Sequence, residues 1–354
     1  MRVFTPFVAL AIITARWAYP ILATLAPLFN TQNHTILSFS NTQFEGGRYW
    51  FLFIYLIGNS IYNKISPLLG LSPKRSETEE APAIGLSMPF SITEIQIEEY
   101  IQTLSQKHSI PEIMENQQHL SLLLSALTEP AFILLLCKRN CPIDAIGSVN
   151  VRNRFEILNP QACSTLISQR SKRIIRSTLK SKRRKVKRGW EYDFVTELVQ
   201  PGGESIYRQV FTMLQFTKHG VPPTTNTLDN KEEISSLSKL GEISVTGTDT
   251  SNWSSLCKDR NPIHLSTLAA KMLGFKGKIA LGNLVAAKAI EVLVQNSKVQ
   301  SLGQKSTYME VSFLRPVLLP ARMEVWGQLG ETKEGSLEVR IGEKPCVTLK
   351  YGGL

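Results

Sequence analysis

The chain has 354 residues, 43% of them hydrophobic and 19% charged, with a formal net charge of +11; that length supports about two domains with substantial cores. Five irregularly spaced cysteines exclude a disulfide-stapled scaffold and a paired Cys-x-x-Cys zinc site, leaving buried reduced thiols. Basic charge without interleaved stacking aromatics or a recognisable nucleic-acid module argues against a nucleic-acid partner.

The front of the chain is apolar. Val3 to Ala15 and Trp17 to Phe29 are interrupted by Arg16, a second run covers Trp50 to Ile57 and fades through Tyr62, and no Asp or Glu precedes Glu45. Neither run is a clean stretch of about 20 apolar residues, so each is a marginal membrane span. Three readings stay open: a membrane anchor or hairpin, a cleaved signal or organelle-targeting segment, and a structural arm packed on the body. Lys64, Lys74 and Arg75 follow the second run, and the positive-inside bias places the remaining chain in the cytoplasm of a membrane-associated protein. Ser72 to Pro82 is polar and aperiodic and reads as a linker, so the folded part is expected to begin near Ile84.

Next comes an apolar run at Leu122 to Cys137, helical in places and interrupted at Pro130. Strand-like runs follow at Val149 to Val151, Phe155 to Ile157, Trp190 to Leu198 and Ile206 to Phe216. Between Arg170 and Arg188 lie eleven basic residues and no acidic one, the source of most of the net charge. The densest part, Lys182, Arg183, Arg184 and Lys185, suits an anionic lipid or an acidic carrier, or else a solvated edge strand whose lysines block pairing. His219 to Glu233 is polar and divides the body.

The second portion repeats the order of the first. A helix over Leu284 to Gln295, apolar nearly all round, precedes the alternating strand Tyr308 to Phe313, and further alternation follows around Met323 to Val325, Leu337 to Ile341 and Val347 to Tyr351. The pattern predicts an α+β protein made of two helix-plus-antiparallel-sheet units. The expected divisions are 1–82 for the apolar segment and linker, 83–225 for the first unit and 226–354 for the second.

Only the second unit carries Asp259-Arg260-Asn261-Pro262-Ile263-His264. Pro262 fixes its own φ and pushes Asn261 toward extended conformations, so Asp259 and His264 flank a turn and face one small cavity before a helix starting near Leu265. An Asp and a His touching the same water can add it to, or remove it from, the β-carbon of an acyl thioester by general acid–base catalysis. Charge building on the thioester oxygen needs fixed donors. Gly282, at the start of the apolar helix, offers free N–H groups and no side chain in the way.

These residues resemble those of the MaoC-like dehydratases, or (R)-specific enoyl-thioester hydratases, of the hot-dog superfamily. The family's Ser/Thr-Gly-Asp-x-Asn-Pro-x-His block is matched by Cys257 to His264, its Ala-rich helix with Gly-Phe by Ala269 to Phe275, and its Ile-Ala-His-Gly segment by Ile279 to Gly282. Ser312 to Pro320 is similar to the strand after the hot-dog helix. Two positions depart from the pattern: Lys258 replaces a Gly before the Asp, and Leu281 replaces a His before the Gly.

The resemblance implies a double hot-dog whose first half has lost the motif and helps form an acyl tunnel. It implies reversible dehydration of (R)-3-hydroxyacyl thioesters to trans-2-enoyl thioesters in fatty-acid metabolism, with Asp259 and His264 activating water and Gly282, assisted by Asn261, binding the thioester. No metal or cofactor is implied. The acyl carrier is coenzyme A or acyl carrier protein, which Lys182 to Lys185 would engage, and the assembly is a monomeric pseudo-dimer or a homodimer. A retired acyl-binding domain and an acyl-thioesterase are the rival readings, the former favoured by Lys258 and Leu281.

Overall fold

Two apolar helices organise the computed structural model, which describes residues 23–30, 32–44, 51, 52, 54–58, 61, 80–145, 147–167, 173–217, 237–296, 305–328 and 334–354. In chain order the first half comprises β1 (His34–Ile36), β2 (Ile84–Phe90), α1 (Glu94–Ile101), α2 (Ile110–Glu115), α3 (Gln117–Leu136) and β3 (Ser148–Ile157). It continues with α4 (Pro160–Ser164), β4 (Arg173–Leu179), β5 (Arg184–Val186), β6 (Gly189–Val199) and β7 (Ser205–Phe216). The second half comprises β8 (Ser238–Val245), α5 (Gly247–Cys257), α6 (Pro262–Leu265), α7 (Thr267–Met272), α8 (Gly282–Asn296), β9 (Thr307–Phe313), β10 (Ala321–Gly327), β11 (Gly335–Ile341) and β12 (Lys344–Gly353).

The strands alternate buried and exposed residues, as in Met309, Val311 and their neighbours on β9, which is the pattern of a sheet with one face on a core. They form one sheet ordered β1-β2-β4-β6-β7-β3-β9-β12-β11-β10-β8, with β5 added beside β6. Its centre is the antiparallel pairing of β3 with β9, from Arg152 opposite Ser312 to Ile157 opposite Thr307. What the sequence presents as two sheets is thus continuous across the halves. Each half curls round its own helix, α3 or α8, giving a double hot-dog.

α3 carries Asn116 at its N-cap, where the side chain accepts the N–H groups of Gln118 and His119 at 3.1 and 3.0 Å. The helix runs on through Pro130 without a break, contrary to the expected interruption. Proline removes a backbone donor and ordinarily costs about 3 kcal/mol, but every residue of α3 from Leu120 to Leu136 is buried. Packing on all sides holds the helix. Its length and hydropathy would suit a membrane span, yet it is buried within the protein, as a central hot-dog helix must be.

The front of the chain also differs from expectation. Leu25, Leu28, Leu37, Phe39, Phe44 and Leu52 belong to the main core, and β1 pairs in parallel with β2. Asn41, 2% exposed, donates to the carbonyls of Ser91 and Leu127 at 3.0 and 3.2 Å and accepts the Ser91 N–H at 2.9 Å. Buried Lys138 reaches back to the Gln32 carbonyl at 3.0 Å and the Thr35 hydroxyl at 2.5 Å. The folded body therefore begins well before Ile84, because apolar side chains between Leu25 and Leu52 are needed to cover α3 and β2. The run Val3 to Ala15, the residues Lys64, Lys74 and Arg75, most of the expected linker, and His219 to Glu233 lie outside the described residues.

Candidate active site

α5 opens with a reciprocal cap between Thr246 and Asp249 and ends at Lys258, whose φ of 59° and ψ of 15° are left-handed. Among the described residues Lys258 alone of the non-glycines has positive φ, a conformation that costs a side-chain-bearing residue about 1 kcal/mol or more. This is the position where a glycine is expected from the resemblance, and the backbone explains why.

The reversal at Lys258 throws Asp259 into a tight turn. The Ser254 hydroxyl donates to the Asp259 carbonyl. The Asn261 N–H donates to Asp259 Oδ1 at 2.9 Å, and the Asn261 side chain accepts the Ile263 N–H at 3.3 Å, capping α6. Asn261 is thus engaged in shaping the turn. Asp259 Oδ2 is left facing His264 Nε2 at 3.9 Å, too long for a hydrogen bond but close enough for one oxygen atom to sit within reach of both. The other ring nitrogen of His264, Nδ1, lies 2.9 Å from the Ile279 carbonyl. A carbonyl only accepts, so Nδ1 carries the proton and neutral Nε2 is the basic nitrogen.

Ile279 begins the segment that ends at Gly282, the first residue of α8, where helical N–H groups have no partner within the helix. A Cβ at Gly282 would overlap the ring of Phe313. Glycine is required here by the close approach of the Phe313 ring from β9. Leu281, in place of the family's histidine, is buried in the core and leaves this backbone path intact.

Three features escaped the sequence reading. Phe313 closes over Gly282, and the Ile279 carbonyl fixes the His264 tautomer; neither contact has a local signature. The third, Glu129, had one, being the sole charged residue from Leu120 to Leu136. It comes from α3 in the half without the motif and is buried beside Cys257 and Asp259. Burial, reinforced by the Asp259 carboxylate, pushes its carboxyl well above the usual range, while a hydrogen bond with the Cys257 thiol acts in the opposite direction. Next to Gly282, Asn283 accepts from Asn153 at 2.8 Å and donates to Ser125 at 3.3 Å. The first half therefore walls the site.

The basic cluster stands elsewhere, on the β4–β6 region. Arg183 is buried, bonded to the Tyr192 hydroxyl at 2.6 Å and stacked over Trp190 at 4.2 Å. Arg184 grips Asp193 through two bonds of 2.6 and 2.8 Å and also reaches Glu191. Lys182 is exposed and Lys185 half-buried. Two of the four cations thus serve the sheet itself. A surface depression of about 400 Å³ lined by Ser244, Val245, Thr246, Pro320, Ala321 and Arg322 contains none of the reactive groups. Among the described residues no group of three or more His, Cys, Asp or Glu is placed to hold a metal ion.

Known proteins share this fold. A family profile described as a MaoC like domain matches residues 234–347. A relative named 3-hydroxyacyl-thioester dehydratase X, from Mycobacterium tuberculosis, is 26% identical over 200 residues, covering 55% of this chain and 65% of its own length. This chain thus matches a little under two thirds of that protein. The crystal structure of HtdX from Mycobacterium tuberculosis superposes with a TM-score of 0.58 at 22% identity, covering 77% of this chain and all of that one, 100%. A MaoC-like dehydratase from Phytophthora capsici gives 0.57 at 13% identity, over 78% of this chain and 96% of its own. Residues 234–347 are thus similar to a MaoC like domain, and the fold of the chain is that of the solved MaoC-like dehydratases.

Proposed function

We propose that the protein is a hydro-lyase that interconverts (R)-3-hydroxyacyl and trans-2-enoyl thioesters in fatty-acid metabolism. The observation that carries this reading is the 3.9 Å gap between Asp259 Oδ2 and His264 Nε2, a seat for one water molecule beside the first turn of α8. In hydration, Nε2 of His264 takes a proton from that water, its oxygen bonds to the β-carbon, and the electron pair of the double bond moves toward the thioester oxygen. N–H groups at Gly282 stabilise the enolate. A proton is then delivered to the α-carbon, so one water is added across the double bond. Dehydration is the reverse.

The thioester is carried by coenzyme A or an acyl carrier protein. One chain supplies both hot-dogs, which favours a monomer. Leu25, Leu28, Phe44 and Leu52 are in the core and so are not available to a membrane. The deciding experiment is incubation of the full chain with a crotonyl thioester, following enoyl absorbance and free thiol together. Loss of the enoyl signal without thiol release is expected. Thiol release would establish a thioesterase instead, and no reaction would establish a retired domain.

A further inference from the structure

From Arg260 to Ile290 the chain has no carboxylate. Within that stretch Lys288 is buried and pairs with Asp249 at 3.5 Å, while Arg260, Lys271 and Lys276 are exposed. α7 presents Leu268 and Met272, four residues apart and so on one face, at 71% and 79% exposure, with Leu273 beyond them at 43%. Alongside, Ile279 N–H bonds to the Ile263 carbonyl at 3.1 Å, Ala280 N–H to Val317 at 2.8 Å and Leu319 N–H to Lys278 at 2.9 Å. These bonds lay the 314–319 loop, with exposed Leu314, Arg315 and Leu318, against the segment that follows α7. The outcome is an apolar and basic rim built from the same backbone that carries Asp259 and His264.

Single exposed leucines are ordinary. Five large apolar side chains in adjoining segments, ringed by cations, make a patch of the kind that marks an interaction surface. We propose that this rim docks a small acidic carrier protein, which delivers the acyl thioester to the site on a flexible arm. The proposal rests on the hydratase reading above. A nucleotide carrier would engage the cations and leave Leu268 and Met272 in water, whereas a protein face of carboxylates and small apolar groups complements both. A lipid surface fits less well: interfacial helices are longer and carry aromatic anchors, while α7 has six residues and none. With Arg183 and Arg184 held by their own sheet, the rim replaces the 182–185 cluster as the carrier surface.

The test uses the full chain and two double variants, Leu268→Asn with Met272→Gln and Lys271→Glu with Lys276→Glu. Binding of a purified, crotonyl-loaded acidic acyl carrier protein is read by fluorescence anisotropy, and KM is measured for that substrate, for crotonyl-CoA and for crotonyl N-acetylcysteamine. Each double variant is expected to weaken carrier-protein binding about tenfold and raise KM for that substrate alike, with kcat and the other two KM values unchanged. An equal rise with crotonyl-CoA would overturn the proposal in favour of a nucleotide site. So would unchanged carrier-protein binding together with lost sedimentation on phosphatidylcholine vesicles containing phosphatidylglycerol, which would mark a lipid surface. Unchanged values throughout would deny the rim any partner. If the wild type hydrates none of the thioesters, the activity reading fails, and anisotropy still decides the docking.

Discussion

His264 donates from Nδ1 to the main-chain carbonyl of Ile279 at 2.9 Å, so the turn from Asp259 to His264 and the segment leading to Gly282 are joined by the imidazole ring itself. A substitution at either end is felt at the other. The ring is also committed to the tautomer that leaves Nε2 free to take a proton.

Asp259→Asn and His264→Ala are accordingly expected to lower kcat for enoyl-thioester hydration by about 100- to 10,000-fold each. Far-ultraviolet circular dichroism should remain that of the wild type, since Asp259 is half-buried in a turn and His264, though buried, lies outside the hydrophobic core cluster. Turnover within a few-fold of wild type in either variant would remove the mechanism.

Gly282→Ala places a methyl group in the Phe313 ring. Overpacking of this kind costs about 1–3 kcal/mol, and the displaced helix start should nearly abolish hydration. Adding Phe313→Leu is expected to restore much of the melting temperature but little of the activity. Recovery of both together would show that Gly282 serves packing alone.

At Lys258 the backbone, not the charge, is the constraint. Lys258→Gly relieves a left-handed conformation worth about 1 kcal/mol but adds unfolded-state freedom, so its net stabilisation is small. Lys258→Val, β-branched at positive φ, should be clearly destabilising. Chemical denaturation of the two variants settles the order, and the reverse order would place the role in the lysine side chain.

His119 sits beneath α1, bonded to the Tyr100 hydroxyl at 3.0 Å. Burial, with His108 as a lesser cause, pulls its pKa down to about 3. The folded form keeps it neutral while the unfolded chain takes up a proton below about pH 6.5. Its contribution is therefore complete above that pH and falls away as pH drops toward about 3, at no more than about 1.4 kcal/mol per unit. Urea titrations at several pH values should show this slope in the wild type and a flatter one in His119→Gln.

Asn41→Ala leaves the Ser91 backbone and the Leu127 carbonyl without their buried partner. A loss of about 1–3 kcal/mol is expected by denaturation. Removal of the first 79 residues should go further and yield aggregated protein by size-exclusion chromatography, because it uncovers α3 and the edge of β2. A soluble, fully active truncation would return the front of the chain to a dispensable role.

Much of this was legible in sequence where the signal is local. The turn from Asp259 to His264 is written in six consecutive residues, α8 in an all-round apolar helix, and β9 in strict alternation. The helix start at Gly282 rather than Leu284 was anticipated by the chemistry and missed by the periodicity. What stayed hidden depends on partners distant in sequence: the pairing of β3 with β9, the approach of Phe313 to Gly282, and the core positions of Leu25 and Phe44. Pro130 misled for the same reason, since a local breaking tendency was overruled by surroundings on every side.

The β3–β9 seam has a consequence for how such a protein can change. In a dimer of identical hot-dogs every substitution is made twice, once in each site and once in each opposing wall. Here the two copies share a sheet but not a sequence, so Glu129 on α3 is buried beside Cys257 and Asp259, while the buried acid of α8, Glu291, accepts the Ser105 and Gln106 N–H groups instead. Covalent linkage frees one copy from catalysis and lets it become shape for its neighbour, provided that Arg152 to Ile157 keep their register with Thr307 to Ser312.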